Sequence, residues 1–237
     1  MSRSFQIVED KLRETEFFLN KFCKSTYLSY ETRFYFSAFV SAARSVTLAM
    51  QASLGGYAEF DVWYKQIQAT LRADELAPLF VGIRNNVIHI GENPIDVVPI
   101  EHITEFMFKA FSGQSPRHLL VLPDILDKNS TTIVDASEIS KRYFVSLVEV
   151  VFECYEKFKI LVDAKWHYTR EGFAQRGLTL EDALVELGFP PNWFRPVKNG
   201  SINEEDGWKA LREKETGCLI NDIFYRHLDK TIRSPDE

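Results

Sequence analysis

The sequence predicts a mainly α protein: an antiparallel up-and-down helical bundle with a small β insertion and a C-terminal helical extension. Three observations predict it. Apolar residues recur at spacings of three and four through most of the first half. Glycines and prolines punctuate those runs where helices would end or begin. The segments between the runs are short, which favours antiparallel neighbours. At 237 residues, 45% hydrophobic and 14% aromatic, the chain has material for one large core, or for a domain with an appendage.

Taken in order, the first helix carries Val8, Leu12, Thr15, Leu19 and Phe22 on one stripe. The second runs from about Ser29 to Ala52, with Tyr35, Phe39, Ala42, Val46 and Ala49 in register, and Gly55–Gly56 ends it. Its YFSAFVSAARSVTLAM run is small or apolar nearly all round, as a central bundle helix should be. A third segment aligns Phe60, Trp63, Ile67 and Leu71. The fourth has Pro78 in its first turn, Gly91 as its cap and Pro94 as a stop. Residues 94–135 change character: HITEFMFKAF and HLLVLP flank SGQSP, and TTIVD follows DKNS. A β-hairpin or a three-stranded insertion fits this pattern, and HITEFMFKAF fits a helix equally. From Ala136 to Ala164 a long helix aligns Phe144, Leu147, Val151, Tyr155, Phe158 and Val162.

The expected organisation is a bundle over residues 1–164 and an extension over 165–237. In the extension TLEDALVELG reads as a short helix, with Thr179 as cap, Asp182 three residues on and Gly188 at its end. FPPNWF forces an extended or turning path. One or two further helices fit EEDGWKALREKETGCLINDIFYRHLDK. A separate domain and a clasp on the bundle are both open to this tail.

The net charge of −6 opposes a general nucleic-acid binder but not a local basic patch. Cys23, Cys154 and Cys218 are scattered, with no CxxC pair and no zinc spacing, so structural thiols are expected and no metal or cofactor. The N-terminus becomes charged before any long apolar run develops, and no stretch of 18 apolar residues occurs. A cytoplasmic protein without a membrane span is the expectation.

One stretch carries chemistry: RNNVIHIG, Arg84 to Gly91. At about 100° per residue, with Ile83 at zero, Leu76, Leu79, Phe80, Val87 and Ile90 fall within roughly 60° and form the expected buried stripe. Arg84 sits near 100°, Asn85 near 200° and His89 near 240° on the same wheel. A histidine serving only the core belongs on the apolar stripe, and His89 is not there. Val81, Gly82 and Ile88 share the outward face, which suits close contact with another helix. The bland alternatives are a solvated face, or pairing of Arg84 and His89 with Asp61 or Glu92. The chemical alternative is RNA cleavage without metal. A neutral imidazole takes the 2′-hydroxyl proton or protonates the leaving oxygen, and a guanidinium clamps the phosphate. Asn85 would hold the imidazole or the phosphate.

An arginine, four residues and a histidine near the end of a bundle helix, with a polar residue directly after the arginine, resembles the HEPN superfamily signature. The resemblance covers the motif and the helical context of roughly residues 5–164. It implies a bundle of four or five helices and a symmetric homodimer whose two motifs meet in one cleft. It also implies a metal-independent endoribonuclease of toxin–antitoxin, phage-defence or RNA-processing type, with a possible antitoxin or partner protein. Carried over, Arg84 and His89 would be catalytic and Asn85 supporting. One toxin branch has a tyrosine two residues after the histidine; here that position is Gly91, which puts regulation through such a tyrosine in doubt. Other members bind RNA, a nucleotide or a protein partner without cutting, and that is the alternative reading. A third is a structural helical protein whose outward face is only an interface.

Arg33, Ser37, Ser41 and Arg44 form a polar stripe on the second helix. Arg44 is the candidate there for an RNA-binding role, against pairing of the stripe with carboxylates on a neighbouring helix. His102, His118, His167 and His227 lack metal-ligand spacing. KWHYTR, residues 165–170, fits either a base-stacking patch or a helix-end anchor. The chain has no P-loop, GxGxxG or nucleophile elbow.

Overall fold

The structure is a computed structural model that describes residues 5–25, 30–91, 95, 119–123, 131–191 and 203–237. Among these the chain is mainly helical, with a single two-stranded sheet. Helix α1 (Gln6–Lys24) buries all five residues of its expected stripe: Val8, Leu12, Thr15, Leu19 and Phe22. Each large apolar side chain so buried stabilises the fold by about 1.5–3 kcal/mol against its exposed state. Thr15 sits in the stripe without cost because its hydroxyl donates to the Lys11 carbonyl, 2.7 Å away.

Helix α2 (Tyr30–Leu54) is antiparallel to α1. Phe22 meets Phe36 with ring centroids 5.1 Å apart, while Thr32 Oγ1 donates to Ser25 Oγ at 3.0 Å, so a step forward on one helix is a step back on the other. The α2 ladder closes through Gly55 N–H donating to the Gln51 carbonyl, and Gly56 follows at φ +96°, where a side chain would be strained. Helix α3 (Ala58–Ala73) returns along α2. Its buried Tyr64 hydroxyl donates to the Thr47 carbonyl at 3.3 Å and accepts from Gln51 Nε2 at 2.9 Å. Phe60 and Trp63 are buried as expected, with Tyr64 added to the face; Ile67 and Leu71 are only half-buried.

Helix α4 (Leu76–Asn85) is capped by Asp74, whose Oδ1 accepts from Leu76 N–H at 2.7 Å and Ala77 N–H at 2.9 Å. Phe80 is its anchor, edge-on to Phe39 at 5.8 Å and stacked on Tyr143 at 4.5 Å. Among the described residues of the insertion, β1 (Leu119–Pro123) pairs antiparallel with β2 (Thr131–Asp135), Leu119 opposite Asp135. HITEFMFKAF, SGQSP and DKNS lie outside the described residues.

Asp135 ends β2 and starts α5 (Ala136–Val162), its Oδ1 accepting from Ser137 N–H at 2.9 Å. The expected α5 stripe is sound at Phe144, Leu147, Val151, Tyr155 and Phe158, all buried. The backbone leaves helical geometry at Phe158, φ −118° and ψ 24°, which places a kink in the last turns.

The chain divides into two compact units, residues 1–148 and 149–237, so the division falls inside α5. Among its described residues the second unit holds the end of α5 and five short helices: α6 (Ala164–His167), α7 (Arg170–Ala174), α8 (Leu180–Glu186), α9 (Glu204–Arg212) and α10 (Asn221–Leu228). It has its own core of Tyr168, Phe173, Leu180, Ala183, Leu184, Trp208 and Leu211. The α8 cap is as expected. Thr179 N–H donates to Asp182 Oδ2 at 2.7 Å, and Gly188, at φ +90°, lets Phe189 N–H reach the Leu184 carbonyl. The three cysteines form no disulfide; Cys154 is buried, and burial pushes its thiol far up.

Candidate functional site

The end of α4 departs from the wheel. The expected stripe is buried at Phe80 and Ile83, half-buried at Leu76, Leu79 and Val87, and exposed at Ile90, which is 65% accessible; Ala77, off the stripe, is also buried. Ile90 therefore does not belong to the core face expected of it. The reason is a π turn over Asn86–Ile90 that directly continues α4. Its i→i+5 bonding widens the turn, so each residue rotates by less than the ~100° of an α-helix, and Ile90 is carried off the stripe. No residue of the π turn is buried. Gly91, at φ +77° and ψ 9°, closes it in the left-handed region that favours glycine.

The motif thus spans the last residues of α4 and the π turn that follows them. Arg84 is half-buried and its Nη1 donates to Asn85 Oδ1 at 3.1 Å. Asn85, Asn86 and His89 are exposed, and among the described residues the His89 ring has no hydrogen-bond partner. Asp61, one of the two carboxylates that the bland reading offered to Arg84 or His89, instead accepts from Gly56 N–H at 3.3 Å. Glu92, the other, lies outside the described residues. Apolar groups are also exposed in this segment: Ile88 is 46% accessible, and Gly82 is exposed.

Arg84 and Asn85 are brought into contact; Arg44 is not joined to them. Arg44 Nη1 donates to Thr47 Oγ1 on its own helix at 2.9 Å. On the same stripe Ser41 donates back to the Ser37 carbonyl at 2.9 Å. Arg44 has an electrostatic neighbour that the sequence did not reveal. Burial pushes the Tyr143 hydroxyl up to about 12, and the Arg44 guanidinium and the Asp74 carboxylate pull it in opposite directions. Tyr143, Asp74 and Arg44 come from three distant segments, and no local spacing marks them as neighbours.

His102 and His118 lie outside the described residues. His167 Nε2 is 2.9 Å from Glu186 Oε1, and its ring lies edge-on to Phe173 at 5.4 Å. KWHYTR is held at its start by Asp163, which accepts from Lys165 N–H at 2.8 Å and, through its other oxygen, from Cys218 N–H at 3.0 Å. Among the described residues no cluster of three metal-ligating side chains occurs, and no helix is long and apolar enough to cross a membrane. No protein-family model, curated protein or solved structure matches the chain.

Proposed function

We propose that the chain is a metal-independent endoribonuclease of the HEPN type. It acts as a homodimer in which Arg84 and His89 of both copies line one composite cleft. The observation that carries this reading is the π turn at Asn86–Ile90, set immediately behind Arg84 and closed by Gly91. Single π turns within helices occur frequently at functional sites, because they interrupt regular packing to aim side chains outward. Here that irregularity coincides with the Arg-x4-His spacing and leaves the imidazole exposed.

The chemistry uses the groups in their ordinary roles. One neutral His89 takes the proton of a ribose 2′-hydroxyl, whose oxygen attacks the adjacent phosphorus. The imidazolium of the second copy's His89 gives a proton to the departing 5′-oxygen, leaving a 2′,3′-cyclic phosphate and a 5′-hydroxyl. Arg84 balances the charge that gathers on the phosphate oxygens, and Asn85 fixes the guanidinium through its carboxamide. Exposed Ile88 and Ile90 supply apolar surface for the second copy to cover. RNA is the substrate class, and an antitoxin or other partner protein would act by covering this helix end.

The test is cleavage of a mixed RNA pool in chelator by wild type, Arg84→Ala and His89→Ala. The expected result is cleavage without metal that falls about a hundredfold or more in each variant. Absence of cleavage of every RNA, with RNA still bound, would replace the enzyme by a non-catalytic binding module.

A further inference from the structure

The second unit contains a groove that the motif on α4 does not use. It has a volume of about 510 Å³ and is lined by Phe152, Glu156 and Lys159 of α5, Trp166 of α6, and Asp229 to Arg233 of the segment after α10. The far wall is fixed in place. Asp229 turns the chain out of α10 at φ +55°, an uncommon conformation for a residue other than glycine. Asn221 then grips the segment from both sides, donating from Nδ2 to the Ile232 carbonyl at 3.0 Å and accepting Ile232 N–H at 2.7 Å. Trp166 Nε1 donates to the Arg233 carbonyl at 2.9 Å.

Three cations line this groove: Lys159, Lys230 and Arg233. Among the described residues none of them makes an ion pair, although the chain as a whole is acidic at −6. Two of them lie over aromatic rings. Lys159 Nζ is 3.7 Å from the Trp166 ring centre and Lys230 Nζ is 5.2 Å from that of Phe152. The groove thus joins cations that lack a carboxylate partner to aromatic walls, in a volume within the small-ligand range of ~300–1,000 Å³.

We propose that this groove binds a nucleoside monophosphate unit, either a free nucleotide or one residue of a single RNA strand. The phosphate supplies the anion for Lys159, Lys230 and Arg233. The base supplies a planar face for the Phe152 and Trp166 side of the groove. Glu156 and Asp229, the two carboxylates in the lining, accept hydrogen bonds from ribose hydroxyls or an exocyclic amine. A bare anion uses the cations alone, and an apolar ring leaves them without an anion. This site is independent of Arg84 and His89, so its test and the cleavage test fail separately.

The experiment is isothermal titration of the full chain with AMP, UMP, hexauridylate and inorganic phosphate. Wild type is compared with Lys230→Gln and with the pair Lys159→Gln and Lys230→Gln, and thermal melts verify folding. Saturable binding of AMP or UMP is expected, about tenfold weaker for phosphate alone and about tenfold weaker in the folded double variant. Lys230 is exposed, so the single variant reads a smaller loss with folding intact. Hexauridylate binding about tenfold more tightly than UMP, with steep salt dependence, assigns the groove to a strand; equal affinities assign it to the free nucleotide. Undetectable nucleotide binding, equal affinity for phosphate and nucleotide, or undiminished binding in the double variant each overturns the proposal.

Discussion

Two arginines are treated in opposite ways. Arg212, in the second unit, has a side chain only 6% accessible and is saturated with partners. Its guanidinium meets Asp236 at 2.6 Å, Glu205 at 3.1 Å and the Tyr168 carbonyl at 3.5 Å. Among the described residues Arg84, in the first unit, has only the carboxamide of its sequence neighbour. The histidines repeat the contrast: His167 is held by Glu186, whereas His89 is exposed beside two exposed isoleucines. A polar side chain engaged on several sides fixes the fold, and one with few partners at the end of a helix is not needed for that. The same residue type therefore carries different information in the two units.

The contrast is sharpest under substitution. Arg212→Ala is expected to cost about 2–3 kcal/mol of unfolding free energy, measured in denaturant. The figure sits at the low end for a buried ion pair because the abandoned carboxylates remain reachable by water. A loss under about 0.5 kcal/mol would show that the network is ornamental and break the comparison.

Asp236→Asn is expected to cost about 1–2 kcal/mol near neutral pH, with a dependence on acidity. The Arg212 side chain bonded to Asp236 holds its carboxyl below the ordinary 3.8. A depressed carboxyl contributes stability that is present above the unfolded-state value and is lost as pH falls through the folded one. The gap between wild type and variant should therefore be constant above about pH 5 and close as pH drops below 4. Thermal melts across that range would read it, and a gap that stayed open in acid would refute the charge pairing.

Gly91→Ala should destabilise by about 1 kcal/mol, since the penalty comes from φ alone. A β-carbon there meets nothing within 4 Å. Smallest of all, His89→Ala and Arg84→Ala should change stability by less than about 0.5 kcal/mol while removing RNA cleavage. A stability loss in His89→Ala as large as that of Arg212→Ala would mean that both arms of the comparison are structural.

Much of this was legible in the sequence. The α1 stripe is buried at every position named, and the Thr179–Asp182 cap and the Gly188 end of α8 form where local pattern put them. These features depend on residues within one or two turns of each other, so local spacing carries them. Asn85, the last residue of α4, is exposed at its outward wheel position, whereas His89 lies in the π turn, where the wheel no longer applies and every residue is unburied. Ile90 was misplaced because the wheel assumes that every turn is an α turn, and a switch to i→i+5 bonding is not encoded in apolar spacing.

What the sequence alone determined is the helical character of the chain, the faces of its regular helices, and the presence of an arginine and a histidine at the end of one of them. The tertiary structure decided which polar groups are consumed. Arg212 meets Asp236 across 24 residues, and Trp166 holds the Arg233 carbonyl across 67. It also decided where the ladder widens beneath Arg84 and His89. Such choices depend on which distant backbone arrives to accept or donate, and only a closed chain specifies that.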